Sequence, residues 1–468
     1  MGTFSVPAGV SKYTKVQEYF RGIDLNNSPG NVDFSRSPAA PNMIRDQVGK
    51  VRIRMGFTTV ASAPNGGRIN GVFTLGGAQL VHAGTVLYLR SGTVFTPLCT
   101  DMADTCSAAL RFDGKLYLLD GARLRVYDGS SVTQVSAYVP TVIISRNPSG
   151  GGTSYEALNL IGDRWTETFL GTAGDKIYQL TAAELSGDVK VELLNSAGEW
   201  VEKTENVDFT VDRTAGTVTF TAAPGVSPVK GQDNVKITAG KNRETRSLIE
   251  KCTVLTAYGV GGAADRVFAS GNPDKPGFDW YSGYEDPTFW PDTGYTKVSR
   301  DGRRVVGYAI LGGTLATFLD GADGERNVVV RQGSLDDKGE ALFKITNTLI
   351  GECAAAPRSF CYMGKEPVFL TRAGVYAVTA EELTGEKYAQ ERSFYIRSAL
   401  RAADGIADAA AAVYRDFYVL SVGGDLYLLD GQQKTYEKNN PYSSYQYEAY
   451  CWPGIPARCL WTEGEALC

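Results

Sequence analysis

The chain has 468 residues, 47 Lys and Arg against 52 Asp and Glu, a formal charge of −5 and one histidine. That length buries a core without staples, while the mildly acidic balance with no basic run excludes a clamp for nucleic-acid backbones. The 53 glycines, the 11% aromatics and the recurring Thr, Val and Tyr favour many short strands over helices.

In chain order, Met1 to Val16 contain no apolar stretch of signal-peptide length, and no apolar run approaches the roughly 18 residues of a spanning helix. The expectation is a soluble protein made in a cytoplasm, with no membrane segment. Gly2 would suit myristoylation, but Val6 stands where that motif places Ser or Thr. Residues 1–50, punctuated by Asn26-Asn27-Ser28-Pro29-Gly30 and Ser37-Pro38-Ala39-Ala40-Pro41, read as an extended arm that packs along another surface or chain.

Internal repetition is the strongest signal. Gly114 to Gly121 (GKLYLLDG) and Gly424 to Gly431 (GDLYLLDG) differ at one position. Looser copies begin at Gly84, Gly313 and Gly374. Each is a short apolar run bounded by Gly or Asp-Gly and preceded by a second β-rich run, which is a hairpin signature. The later copies recur every roughly 50 to 60 residues, the size of a four-stranded propeller blade. Removing a foreign segment of roughly 90 to 100 residues between Gly114 and Gly313 restores that period, with one blade over Cys252 to Trp290. The segment opens after Asn147 to Thr153 (NPSGGGT) and closes near Lys241-Asn242-Arg243. Inside it Val189, Val191 and Leu193, then Phe209 and Val211, Val218 and Phe220, and Val235 and Ile237 alternate as in a half-buried β-sandwich.

The fold expected is therefore all-β: a β-propeller of about six blades formed by 51–150 and 246–468, interrupted by a small β-sandwich at 151–245. Ser393 to Arg401 reads as a short helix and Ala402 to Ala412 has helix-forming composition. The C-terminus, Leu460 to Cys468, reads as the first half of a hairpin, with two alternatives open. Either the sequence stops early, or the N-terminal region supplies the closing strand, for which the strand after Val51 is the candidate because propellers pair opposite termini in one blade.

Chemistry is sparse. Eight scattered cysteines, without CxxC or Cys/His spacing, read as reduced, mostly buried thiols, with no metal site. His82 sits in an apolar run and reads as a half-buried strand residue. Gly259-Val260-Gly261-Gly262-Ala263-Ala264 imitates a dinucleotide fingerprint, but a strand follows it where a helix is required, so it reads as a hairpin turn. Glu285 and Asp286, set among aromatics, suggest a glycosidase pair, yet neighbours on an extended segment point apart. Ser299-Arg300-Asp301-Gly302 lacks the spacing of a sialidase box. Catalytic residues and cofactors are expected to be none, and the chain is not expected to be an enzyme. Phe278, Trp280, Tyr281, Tyr284, Phe289 and Trp290 are candidate subunit-interface residues. Tyr442, Tyr445, Tyr447, Tyr450 and Trp452 form a second aromatic group, suited to an exposed interface or to covering one propeller face.

Two stretches carry a family likeness. Ile23-Asp24-Leu25 with Asn27-Ser28-Pro29, then Ser37 to Asp46, Gly49-Lys50-Val51 and Arg54-Met55-Gly56-Phe57, resemble the opening of tail-nozzle, or packaged-DNA stabilisation, proteins of short-tailed bacteriophages. Arg266-Val267-Phe268, Gly271-Asn272-Pro273-Asp274, Tyr281-Ser282-Gly283 and Asp286 to Pro291 resemble the same family at mid-chain. The resemblance implies a structural virion protein in the tail, a homohexameric ring below the portal and its adaptor. It also implies a wall around passing DNA that is not bound sequence-specifically, and attachment of tail fibres or spikes. A carbohydrate-binding or carbohydrate-cleaving propeller in receptor recognition is the alternative.

Overall fold

The computed structural model describes residues 19–379, 390–436 and 445–468 and is nearly all-β. Among the described residues, six four-stranded antiparallel sheets follow the chain as simple meanders. The first is Ile69–Leu75, Ala78–Ala83, Val86–Ser91 and Val94–Cys99; the second Ala108–Phe112, Lys115–Leu119, Leu124–Tyr127 and Val132–Gln134. The third is Val254–Ala257, Val267–Ser270, Phe278–Tyr281 and Tyr295–Lys297; the fourth Val305–Leu311, Thr314–Leu319, Glu325–Leu335 and Ala341–Gly351. The fifth is Cys361–Met363, Glu366–Leu370, Val375–Ala377 and Gln390–Glu391; the sixth Ala410–Tyr414, Phe417–Val422, Asp425–Tyr436 and Tyr445–Trp452.

The repeated LYLL run is apolar at every position because both of its faces are covered. Leu116 and Leu118 pack with Leu80 and Leu87 of the first meander. Tyr117 and Leu119, one residue out of phase, pack with Val267, Ala269 and Trp280 of the third. Each such side chain, fully removed from water, contributes about 1.5 to 3 kcal/mol. The following Asp ties down the backbone after it, a turn at Asp120 and a bulge within the strand Asp425–Tyr436 at Asp430. Buried Asp120 accepts the backbone N–H groups of Ala122 and Arg123 at 2.9 and 2.8 Å, and buried Asp430 accepts those of Gln432 and Gln433 at 3.0 and 3.3 Å.

Two compact units divide the chain. Thr59–Pro357, with the described part of Thr379–Tyr388, holds the first four meanders and the segment between the second and third. In that segment Thr153–Ser154, Thr141–Arg146, Arg164–Phe169, Val235–Gly240, Lys190–Leu194 and Trp200–Lys203 form one sheet in that order, and Ile177–Gln179, Thr217–Phe220 and Phe209–Asp212 another. Trp165, Phe169, Val191 and Ile237 of the first share a core with Tyr178, Phe209, Val218 and Phe220 of the second. The sheet recruits Thr141–Arg146, ahead of the expected boundary at 151. Leu160 and Ile161, inside that boundary, belong instead to the core of the second and third meanders.

The other unit comprises the described parts of Met1–Thr58, Arg358–Val378 and Ala389–Cys468. Its N-terminal stretch is not simply an extended arm, because Met43–Gln47 and Lys50–Ile53 pair as a hairpin across the expected boundary at residue 50. Ile44 packs there with Phe417, Leu428, Tyr450 and Trp452 of the sixth meander. Arg36 is paired with Glu448 and Arg45 with Asp430, both at buried acids.

Two local expectations are corrected. Ala402 to Ala412 is not a helix: the helix Arg397–Ala402 stops at Asp404-Gly405, where Gly405 has φ +66, and Ala410–Tyr414 is a strand. The C-terminal strand needs no partner from the region after Val51. Thr462–Glu463 turns at Gly464, φ +58, and pairs with Ala466–Leu467. No helix among the described residues is long and apolar enough to cross a membrane.

Candidate functional site

The mid-chain motif and the root of the inserted segment meet at Asn159. This side chain is wholly buried and spends both polar atoms. Its Nδ2 donates to the carbonyls of Tyr138 and Thr288 at 2.9 and 2.8 Å, and its Oδ1 accepts the backbone N–H of Trp290 at 2.9 Å. Leu160 N–H in turn donates to the Trp290 carbonyl at 2.8 Å. The aromatic loop 286–291 is thus stitched to 158–160.

The other side of the root is held by 243–246. Arg243 Nη2 donates to the Asn159 carbonyl at 3.0 Å and also to that of Gly162. Thr245 Oγ1 donates to the Leu160 carbonyl at 2.8 Å, and Arg246 Nη1 to the Ile161 carbonyl at 2.5 Å. Four successive carbonyls of an irregular loop are therefore satisfied by one short polar segment, which is how such a loop enters a core at bearable cost. Arg246 also binds Glu250 at 2.7 Å and the Val135 carbonyl at 2.9 Å. Asn272, buried and likewise in the motif, donates to the carbonyls of Ser247 and Leu248 at 3.1 and 2.9 Å.

The six candidate interface residues separate. Trp280 and Trp290 are buried, and Trp290 Nε1 donates to the Pro287 carbonyl at 2.9 Å. Phe278, Tyr281 and Phe289 are half-buried: Tyr281 packs on Phe343 at 4.8 Å, and Phe289 meets the Tyr138 ring edge-on at 5.4 Å. Tyr284 is exposed, with the Arg266 guanidinium 5.4 Å from its ring centroid. Of the second group, Tyr442 lies outside the described residues. Tyr447, Tyr450 and Trp452 are buried and Tyr445 half-buried on the strand Tyr445–Trp452, so the exposed, turn-rich setting expected for them is corrected.

Further expectations change in detail. Glu285 and Asp286 lie in a turn rather than an extended segment: Glu285 has φ +51, and Asp286 Oδ1 accepts the Thr288 N–H at 2.9 Å and its hydroxyl at 2.6 Å. His82 is fully buried instead of half-buried, with Nδ1 3.0 Å from Ser107 Oγ, and burial pulls its pKa below the ordinary value. Gly259 to Ala264 forms the loop between paired strands Val254–Ala257 and Val267–Ser270, and Gly262 is needed because a Cβ there would strike the backbone of Gly313. Ser299 Oγ accepts the Arg303 N–H at 3.0 Å and donates to Asp301, an ordinary polar turn. Only Cys252 and Cys353 among the eight cysteines are buried; the others are half-buried. Cys252 Sγ donates to the Leu248 carbonyl at 3.2 Å, and burial raises its pKa well above the ordinary thiol value.

Nothing in the sequence analysis singled out the second polar constellation. Arg331 and Asp279, from the fourth and third meanders, form a wholly buried ion pair. Arg331 Nη1 donates to Asp279 Oδ1 at 3.0 Å, Nη2 to Oδ2 and to Thr317 Oγ1, and the Tyr308 hydroxyl donates to Oδ2 at 3.2 Å. Burial pushes the Asp279 carboxyl up. The guanidinium, which does not lose its proton, together with Tyr308 keeps it an acceptor. Among the described residues no group of three or more His, Cys, Asp or Glu is placed to hold a metal ion.

No protein-family model and no curated protein matches the chain. Among solved structures it is similar to Hsv2 of Kluyveromyces lactis, at 9% identity and a TM-score of 0.27 over 80% of this chain and 93% of that one. A variant with loop 6CD replaced by a Gly-Ser linker gives 8% identity and a TM-score of 0.28 over the same shares. Likeness at this level leaves the account of the site unchanged.

Proposed function

We propose that this protein is a structural subunit of the tail nozzle of a short-tailed bacteriophage, built from propeller-type blades and without catalytic activity. The reading rests on the two stretches that resemble that family and on what the mid-chain residues do. Asn272, Asp286 and Trp290, all within the resembling motif, spend their polar groups on local backbone, and their neighbourhood fastens the segment inserted between the second and third meanders. A motif so used is scaffold.

In this reading copies of the chain form a six-membered ring in the virion tail, below a portal adaptor. The ring surrounds DNA without sequence-specific contacts, retains it before ejection and carries fibres or spikes. Electron microscopy of the purified protein or virion tests it. A six-fold ring with an axial channel is the expected result, and a monomer at all concentrations together with turnover of an oligosaccharide would replace this reading with a carbohydrate-active one.

A further inference from the structure

A cavity of about 220 Å³ lies beside the root of the inserted segment, lined by Tyr138, Val139, Ile161, Gly162, Arg164 and Arg246 among others. It falls below the roughly 300 Å³ at which pockets for drug-sized ligands begin, so it fits one side chain or a small fragment. Its walls are held in place. Tyr138 N–H donates to the Thr288 carbonyl at 3.1 Å, its hydroxyl donates to the Glu156 carboxylate at 3.0 Å, and 159–162 are fastened by Arg243, Thr245 and Arg246.

The two arginines of the lining differ. Arg246 is engaged at all three nitrogens, its charge matched by Glu250 at Nε and one donor each of Nη1 and Nη2 given to the carbonyls of Ile161 and Val135. Arg164 is half-buried at the start of the strand Arg164–Phe169, where its backbone pairs with Gly240, but its guanidinium has no hydrogen bond or ion pair to any described residue. A guanidinium beside an apolar wall, with its donors unspent, matches a carboxylate through two parallel N–H···O bonds. Asp163 also borders the cavity and accepts the Arg243 N–H at 3.3 Å, so a second negative charge on the ligand would be repelled.

We infer that this cavity binds a singly charged carboxylate on a small aromatic or aliphatic body, with the Arg164 guanidinium as its counter-ion. The carboxylate belongs either to a free small acid or to the terminus or acidic side chain of a docked protein segment. The inference does not depend on the nozzle reading.

Calorimetric titration of the full chain with phenylacetate, with its neutral isostere phenylacetamide, and with an acetylated Gly-Gly-Phe peptide bearing a free carboxylate tests it. Saturable binding of an acid, no binding of the amide and a loss of at least about tenfold in Arg164→Gln are expected, that factor being about 1.4 kcal/mol. Val139→Phe, at an exposed position of the lining, takes up cavity volume and abolishes binding without lowering the melting temperature. Tighter binding of the peptide assigns the site to a protein segment, and tighter binding of phenylacetate to a free acid. Absence of saturable binding by both acids, or equal affinity in a normally melting Arg164→Gln protein, overturns the inference.

Discussion

Asn159 and Trp290 are 131 positions apart in the chain, and the Trp290 backbone N–H donates to Asn159 Oδ1 at 2.9 Å in the protein interior. Because Asn159 Nδ2 also holds the carbonyls of Tyr138 and Thr288, one side chain fixes three segments. Asn159→Ala leaves buried donors and acceptors unmatched, each costing about 1 to 3 kcal/mol. Chemical denaturation should give a loss of about 3 kcal/mol or more. A loss under about 1 kcal/mol would mean that the joint relaxes without it.

The same joint sets where the inserted segment can be cut. Excising 155–241 removes Asn159, Leu160 and Ile161 from the core of the second and third meanders. Excising 165–239 spares them and bridges Arg164 to Gly240, which face one another as strand partners. With short Gly/Ser linkers, the shorter excision should give the more soluble and more cooperatively unfolding protein. Equal behaviour of the two would show that the root does not contribute to the meander core.

How much of this was legible follows from the range over which the signal acts. The LYLLDG repeats mark strands because alternation, Gly and Asp act within a few residues; the turn expected after Asp120 is there, whereas Asp430-Gly431 lies at a bulge inside the strand Asp425–Tyr436. The alternating pairs Val218 and Phe220, and Val235 and Ile237, likewise are buried in a shared core. The root was hidden: Leu160 and Ile161 lie inside a stretch patterned like an insertion, and the residues of their core lie about 25 to 50 positions before them and about 90 to 130 after them. The aromatics at 278–290 looked like an interface since sequence shows their number but not that Trp280 and Trp290 point inward. Ala402 to Ala412 misled through composition, as Asp404-Gly405 ends the helix and tertiary pairing takes Ala410–Tyr414 into a sheet. The Arg331–Asp279 pair offered no local signal at all.

That pair yields a third prediction. Removing one partner strands the other charge in a site closed to water, whereas removing both leaves an apolar interior. Arg331→Met should cost about 3 to 5 kcal/mol. Adding Asp279→Leu to it should restore a large part of the loss. If the double variant in denaturant titration were as unstable as the sum of the singles, the two residues would not act as a pair.

The single histidine gives a pH dependence whose sign is fixed by its burial. His82 is wholly inside, and burial holds its folded-state pKa below the ordinary 6.5. Above that pH both folded and unfolded chains carry a neutral ring, and the residue adds no slope. As pH falls below 6.5 the unfolded chain takes up the proton first, so stability drops until the depressed folded-state pKa is passed. The slope reaches at most about 1.4 kcal/mol per pH unit for one proton. Thermal melts between pH 7.5 and 5.5 should show this decline in the native protein and a flatter profile in His82→Gln, since no other side chain ordinarily titrates there. An identical profile in the two proteins would place the responsible proton on another group.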